Sequence, residues 1–412
     1  MRNKYRLLAV GMTAVMLMGT LCACGKEKKE EDIVQISVWT DERNETNMKE
    51  ALAQFQEQYK DEVTFEFSVS IEGEDTCKET VLANPERAAD LFTFADDQLD
   101  ELCRHEALLE ITEDAESVIS AVGGKDSGAA EAAMRGDKLY AYPVTSGNGY
   151  FLYYNKAYFS ESDISSMDQI LEVCARNNKK FTMNYTSGWY LYSFFKGAGL
   201  TLSYNEEGTA NICNWNATDT EHKGVDVADS ILTIAKNDAF ESLDDDGFLA
   251  GVESGEIIAG INGPWNAQKV AAQWGDNYAA AKLPTYTLCG EQKQMYSFAG
   301  YKIMGINAHT KYPDWCMKLA NYLTDKENQL KRFEVTGECP ANVEAAAEES
   351  VQKSVAVAAL AAQSPYAGVQ RIAEPYWTAS SKLGVTLAAG NPDRRDLQEL
   401  LDEIQQLITA TE

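Results

Sequence analysis

The chain has 412 residues, 45% apolar and 24% charged, with 64 acidic against 36 basic side chains and a formal net charge of −28. That length asks for two or three domains rather than one core. The apolar share excludes a wholly disordered chain, and the acidic balance argues against nucleic acid, because phosphate contacts need a basic footprint.

The first residues read as an address. Arg2, Lys4 and Arg6 precede an uncharged apolar run from Leu7 to Thr20. Leu21-Cys22-Ala23-Cys24-Gly25 follows, then a charged stretch to Asp32. A basic start, an apolar centre and small residues before a cut describe an export signal. The Leu-x-Ala-Cys pattern resembles the lipobox of bacterial lipoproteins. That resemblance implies a signal peptide over 1–23, a diacylated Cys24, and a solvated tether over 24–32. Two acyl chains hold a protein at a membrane where one would not, so the expected location is the extracellular face of the cell membrane. Cys77, Cys103, Cys174, Cys213, Cys289, Cys316 and Cys339 remain, with no Cys-x-x-Cys among them. Scattered cysteines of this kind read as small buried hydrophobes; a disulfide involving Cys213 stays open.

In the body, Val34, Ile36 and Val38 alternate with polar residues, a strand pattern. Met48, Leu52, Phe55 and Tyr59 recur at helical spacing, and Val63, Phe65, Phe67 and Val69 alternate again. Ala89–Phe94 is a short apolar run. The first hundred or so residues thus read β-α-β-α-β, a parallel sheet covered by helices. Leu139–Tyr142 reads as a strand stopped by Pro143. Thr145-Ser146-Gly147-Asn148-Gly149 is a flexible crossing into a strand at Tyr150–Tyr154. Helical spacing follows at Met167–Cys174 and Val225–Ala235. Glu256–Ile261 is a strand entering Asn262-Gly263-Pro264-Trp265, and Tyr301–Ile306 is another. Pro313 starts a helix. Beyond Pro340 the chain reads as nearly all helix. Asn391-Pro392 looks like an N-cap and first helical residue, and Leu397, Leu400, Leu401, Ile404, Leu407 and Ile408 form one stripe.

Catalytic and metal signatures are scarce. His105, His222 and His309 lie far apart and read as surface or capping residues, so no metal is expected. There is no Gly-x-Ser-x-Gly elbow, phosphate-binding loop or dinucleotide fingerprint, and no cofactor is expected. Ser242, Asp244, Asp246, Gly247 and Glu253 fit a calcium-loop spacing, but Phe248, Leu249 and Val252 favour an acidic helix N-terminus instead. Aromatic residues stand out. Phe94, Tyr185, Trp189, Trp265, Tyr376 and Trp377 sit at the ends of predicted elements beside Gly, Pro or polar residues. Sugars expose flat C–H faces ringed by hydroxyls; aromatic planes cover the faces while carboxylates and amides meet the rim. Together these residues suggest a carbohydrate groove.

Several motifs carry a wider resemblance. They are Ile36-Ser37-Val38-Trp39, Ala89-Asp90-Leu91-Phe92, Gly136–Pro143, Leu152-Tyr153-Tyr154-Asn155-Lys156, Gly255–Trp265 and Asn321-Tyr322-Leu323-Thr324. In this order they resemble bacterial extracellular solute-binding proteins of ABC sugar importers, of the maltose/maltodextrin-binding type, over about 33–409. The resemblance implies a type II periplasmic-binding-protein-like α/β fold, with two lobes, a hinge and a ligand cleft. Lobe one would be 33–144 plus 303–330 and lobe two 150–297 plus 335–410. Crossings would fall near 145–149, 298–302 and 331–334.

Position by position, the resemblance puts Phe94, Trp189, Trp265 and Trp377 where the family stacks sugars. Asp97, Glu42 and Arg43 stand at polar contacts, and Gln98 replaces an Arg. Ser187-Gly188 and Thr378 also depart from the family pattern. The implied function is a monomeric binding lipoprotein, not an enzyme, that delivers a carbohydrate to membrane permease subunits. Maltose or a malto-oligosaccharide is the nearest expectation, and the changed polar partners leave other sugars open. Two other readings follow from the residues: a surface glycoside hydrolase using paired carboxylates, or a polyamine receptor using acids and aromatics.

Overall fold

The computed structural model describes residues 33–205 and 209–410; the expected signal, tether and lipidated Cys24 lie outside the described residues. Strand β1 (Ile33–Thr40) buries Val34, Ile36 and Val38, the inward set of its alternation. Helix α1 (Glu45–Gln58) turns Met48, Leu52 and Phe55 onto that face, and β2 (Thr64–Ile71) pairs in parallel with β1. Helix α2 (Cys77–Ala83) leads to β3 (Leu91–Ala95), again parallel to β1. The β-α-β-α-β reading holds.

Strand β4 (Ala141–Thr145) runs through Pro143 rather than stopping there. It lies at the edge of its sheet, where a residue without an N–H breaks no ladder on the open side. The chain then crosses to β5 (Phe151–Asn155), the first strand of a second sheet. That sheet is built with α3 (Met167–Arg176), β6 (Lys180–Thr182), α4 (Gly188–Gly197), α5 (Gly224–Ala235), β7 (Phe240–Glu241) and α6 (Asp245–Ser254). Strands β8 (Ile257–Asn262) and β9 (Tyr278–Ala281) complete it in the order β7-β6-β8-β5-β9. Asp244 caps α6 by accepting from Gly247 N at 2.9 Å, so the acidic run around 242–253 opens a helix.

A hairpin of β10 (Thr285–Leu288) and β11 (Glu291–Gln294) follows, then β12 (Ser297–Ala299). The chain returns to the first sheet as β13 (Lys302–Ile306), antiparallel to both β3 and β4. The first sheet therefore has the order β2-β1-β3-β13-β4. Helices α7 (Pro313–Leu323) and α8 (Lys326–Thr336) pack on it, with Cys316, Leu319 and Ala320 in its core.

Helix α8 runs unbroken through 331–334, where a crossing was expected, and Ala341 still packs with Val122, Ala129 and Ala130 of the first lobe. The chain reaches the second lobe as α9 (Val355–Gln363), whose Ala356 and Ala359 pack with Phe151 and Tyr153. Strand β14 (Ala367–Val369) pairs with β12. Helices α10 (Pro375–Ala388) and α11 (Leu397–Ile408) close the second lobe. Asp396, not Asn391, caps α11, accepting from Gln398 N and Glu399 N; Asn391 has φ 54° and belongs to the preceding turn. All seven described cysteines, Cys213 included, are unpaired. Among the described residues no helix is long and apolar enough to cross a membrane.

Candidate functional site

Between the two sheets lies a cavity of about 770 Å³. Its walls differ in character. Trp189, Trp265 and Trp377 all line it, each only partly buried, and all three belong to elements of the second lobe. Charge comes from both sides: Asp41, Glu42, Arg43, Glu74, Asp75, Lys78 and Asp97 from the first lobe, and Asp244, Asp245, Asp246, Lys269 and Glu374 from the second.

The tryptophan wall is built from helix starts. Ser187 caps α4, accepting from Trp189 N at 3.3 Å, which sets Trp189 in the first turn. Gly188 lets that turn approach α10, since a Cβ there would lie 1.8 Å from Ser380 Oγ. Trp265 follows β8 in a short turn, and a Cβ on Gly263 would lie 2.0 Å from its ring. Trp189 and Trp265 stand with ring centres 5.4 Å apart at 33°. Their N–H groups are fixed: Trp189 Nε1 donates to Gln370 Oε1 at 3.1 Å, and Trp265 Nε1 to Asp245 Oδ2 at 2.6 Å. Asn262 Nδ2 donates to the other oxygen of Asp245 at 2.9 Å. These hydrogen bonds hold the Trp189 and Trp265 rings in a set pose at the cavity wall, as a stacking surface requires.

In and behind the facing wall, three cations and three carboxylates interlock, with Arg332 and Glu338 buried behind it. Arg332 Nη2 lies 3.1 Å from Asp41 Oδ2, 2.7 Å from Glu74 Oε1 and 3.1 Å from Glu338 Oε2. Lys302 Nζ sits 2.5 Å from Glu74 Oε2 and also pairs with Glu338 Oε1. Arg43 Nε lies 3.0 Å from Asp41 Oδ1. Burial alone would push the Asp41 and Glu338 carboxyls up, but the neighbouring Arg332, Lys302 and Arg43 charges hold both below their ordinary values. Lys302 Nζ also stands 5.8 Å from the Trp265 ring centre, a cation–π contact joining the two walls.

Lys78 makes a second bridge between the walls. Its Nζ is 2.7 Å from Glu101 Oε2 on its own lobe and 2.8 Å from Glu374 Oε2, the residue before α10. Burial opposes the ammonium, yet hydrogen bonds to Glu101 and Glu374 raise its pKa.

Asp97 is the exception among the charges. Its Oδ1 is enclosed and has no hydrogen-bond partner among the described residues. Burial, then the neighbouring Asp96, push its carboxyl up to about 8, with Lys78 and Gln370 pulling the other way. This shift favours the protonated carboxyl, which can both donate and accept.

The structure brings Glu42, Arg43, Asp97, Gln98, Trp189, Trp265 and Trp377 to one cavity. It corrects three residues. Phe94 is inward-facing in β3 and fully buried in the first-lobe core, touching Phe92. Tyr185 is buried against Phe194 and Phe240. Tyr376 is buried and donates its hydroxyl to Gly188 O at 2.7 Å, bracing α4 instead of facing the cavity. Gln98 lines the cavity, but its amide is committed to backbone: Nε2 donates to Glu74 O at 2.8 Å and Oε1 accepts from Lys78 N at 2.9 Å. Glu42 is exposed at the cavity edge. Sequence reasoning missed Lys78, Glu374, Gln370, Asp245 and, Arg43 apart, the interlocked charges. For Asp245 a signal existed, in the acidic helix start read as a calcium-loop decoy.

The bacterial extracellular solute-binding protein family matches residues 50–359. The galactooligosaccharide-binding protein of Bacillus subtilis is 24% identical, over 93% of this chain and 93% of its own. A structure solved with acarbose has a TM-score of 0.81 at 26% identity, covering 91% of this chain and 98% of its own. The maltodextrin-binding protein from L. casei BL23, solved without ligand, has a TM-score of 0.75 at 22% identity over 92% of this chain and 99% of its own. The family and the relatives so named are binding proteins, and the fold is that of two-lobed sugar-binding proteins.

Proposed function

We propose that this chain, which belongs to the bacterial extracellular solute-binding protein family, is the receptor of an ABC importer and binds an oligosaccharide in the cavity between its lobes. The observation that carries this reading is the shared hollow of Trp189, Trp265 and Trp377 opposite a wall of hydrogen-bonding charge. A sugar ring would lie on the indoles, and its hydroxyls would meet Asp97, Glu42 and Arg43. Micromolar binding needs about 8 kcal/mol. Aromatic platforms adding about 0.5–1.5 kcal/mol each beyond area burial can supply a good part of it. Ligand between the walls would favour the closed arrangement of the lobes, the one in which both walls touch it.

The relatives narrow the ligand class: one is a galactooligosaccharide-binding protein and one similar structure holds acarbose. Malto- and galacto-oligosaccharides are therefore the first ligands to test. The lipobox-like Cys24 would hold the receptor at the outer face of the membrane, near its permease, and raise its local concentration there.

A thermal-shift screen against both oligosaccharide series, followed by calorimetric titration, tests the reading. At least one series should raise the melting temperature, and Trp265→Ala should weaken its binding at least tenfold. A protein whose melting point no oligosaccharide moves would refute the assignment.

A further inference from the structure

Away from the cavity, the second lobe carries a group of residues that sugar binding does not use. His222 lies just before α5 and is 6% exposed, yet neither ring nitrogen has a hydrogen-bond partner among the described residues. A buried imidazole in that condition is costly unless something else occupies its lone pair. Beside it stand two exposed carboxylates from separate segments, Glu221 in the same loop and Glu291 at the start of β11. One ligand atom from each of the three lies within 4.8 Å of the others, and Glu221 Oε1 is 3.6 Å from His222 Nε2. The place already attracts positive charge. Lys293 Nζ reaches into it, 2.8 Å from Glu291 Oε2 and 3.9 Å from Glu221 Oε1.

We propose that Glu221, His222 and Glu291 form a site for a divalent transition-metal ion of the zinc type. One imidazole and two carboxylates are a donor set that zinc accepts in tetrahedral geometry, with a water in the fourth position. Zinc ligands sit about 2.0–2.2 Å from the metal, so the exposed carboxylates swing inward while the buried imidazole stays. The Lys293 ammonium leaves for solvent as the metal takes its place. The bound ion ties the loop before α5 to the β10–β11 hairpin. The assignment is independent of the sugar cavity.

The test is calorimetric titration of the chelator-stripped protein with Zn²⁺, repeated with Co²⁺ to read its absorption bands. The wild type should take up one Zn²⁺ with micromolar affinity. His222→Ala and Glu291→Gln should each weaken it tenfold or more, and Lys293→Met should strengthen it by about threefold. Glu291 is exposed, so Glu291→Gln keeps the test intact should His222→Ala fail to fold. No saturable uptake, or uptake unchanged in Glu291→Gln, would overturn the site.

Discussion

A carboxyl with an enclosed, unpartnered oxygen gains stability by keeping its proton, and Asp97 is such a group. Its ordinary value is 3.8 and its folded value about 8. Between those limits the unfolded chain has released the proton and the folded chain retains it, so stability falls as pH rises through that window. Asp97→Asn keeps the shape and removes the titration. Its melting temperature should vary less from pH 6 to 8 than the parent's, with a gain on the order of 1 kcal/mol at pH 8. Parallel profiles would mean that Asp97 ionises as an exposed acid does. At this same scale the aromatic reading divides cleanly. The tryptophans at helix starts and after β8 were legible, because an element boundary frees one face of a ring. Phe94, Tyr185 and Tyr376 were not, because a boundary residue can equally point inward. Only the neighbouring segments, such as Gly188 under the Tyr376 hydroxyl, decide which.

Periodicity made most elements readable: β1, α1, β2, β3, α3, α5 and α11 formed where apolar spacing demanded. Two misreadings came from local rules that wider packing overrode. Pro143 continues a strand because that strand is an edge, and Asn391 yields its cap to Asp396. The interlocked charges lay beyond any local rule, since their members come from positions 41, 43, 74, 302, 332 and 338. No window of sequence contains them together. Arg332 is their centre, reaching three carboxylates from the middle of α8. Arg332→Met should cost about 3–5 kcal/mol, the usual penalty for stranding buried charge. Urea unfolding should show a lower midpoint at an unchanged slope. A loss under about 1 kcal/mol would mean that water reaches these groups.

For the whole molecule, several direct contacts link the two sides, and Lys78–Glu374 is an ionic one. Glu374 is partly open to solvent, so the pair is worth at most about 1 kcal/mol, enough to shift an open–closed balance about fivefold. Glu374→Gln should therefore enlarge the ligand-free radius of gyration in X-ray scattering and leave the ligand-bound radius unchanged. Equal radii without ligand would show that the pair does not hold the lobes. The chain crossings themselves are knit by backbone bonds, Asn148 N to Gly300 O at 2.8 Å and Gly300 N to Asn148 O at 3.1 Å.

The place of β13 has a consequence for how the molecule comes into being. It lies between β3 and β4 and is the sheet partner of β4, yet it is made after most of the second lobe. A nascent chain emptied from the ribosome up to residue 300 carries two bare strand edges with nothing to zip them. Nucleation can begin early at β1 and β2, but the first lobe stays unfinished until distant chain arrives, so its maturation runs slowly and invites chaperone custody.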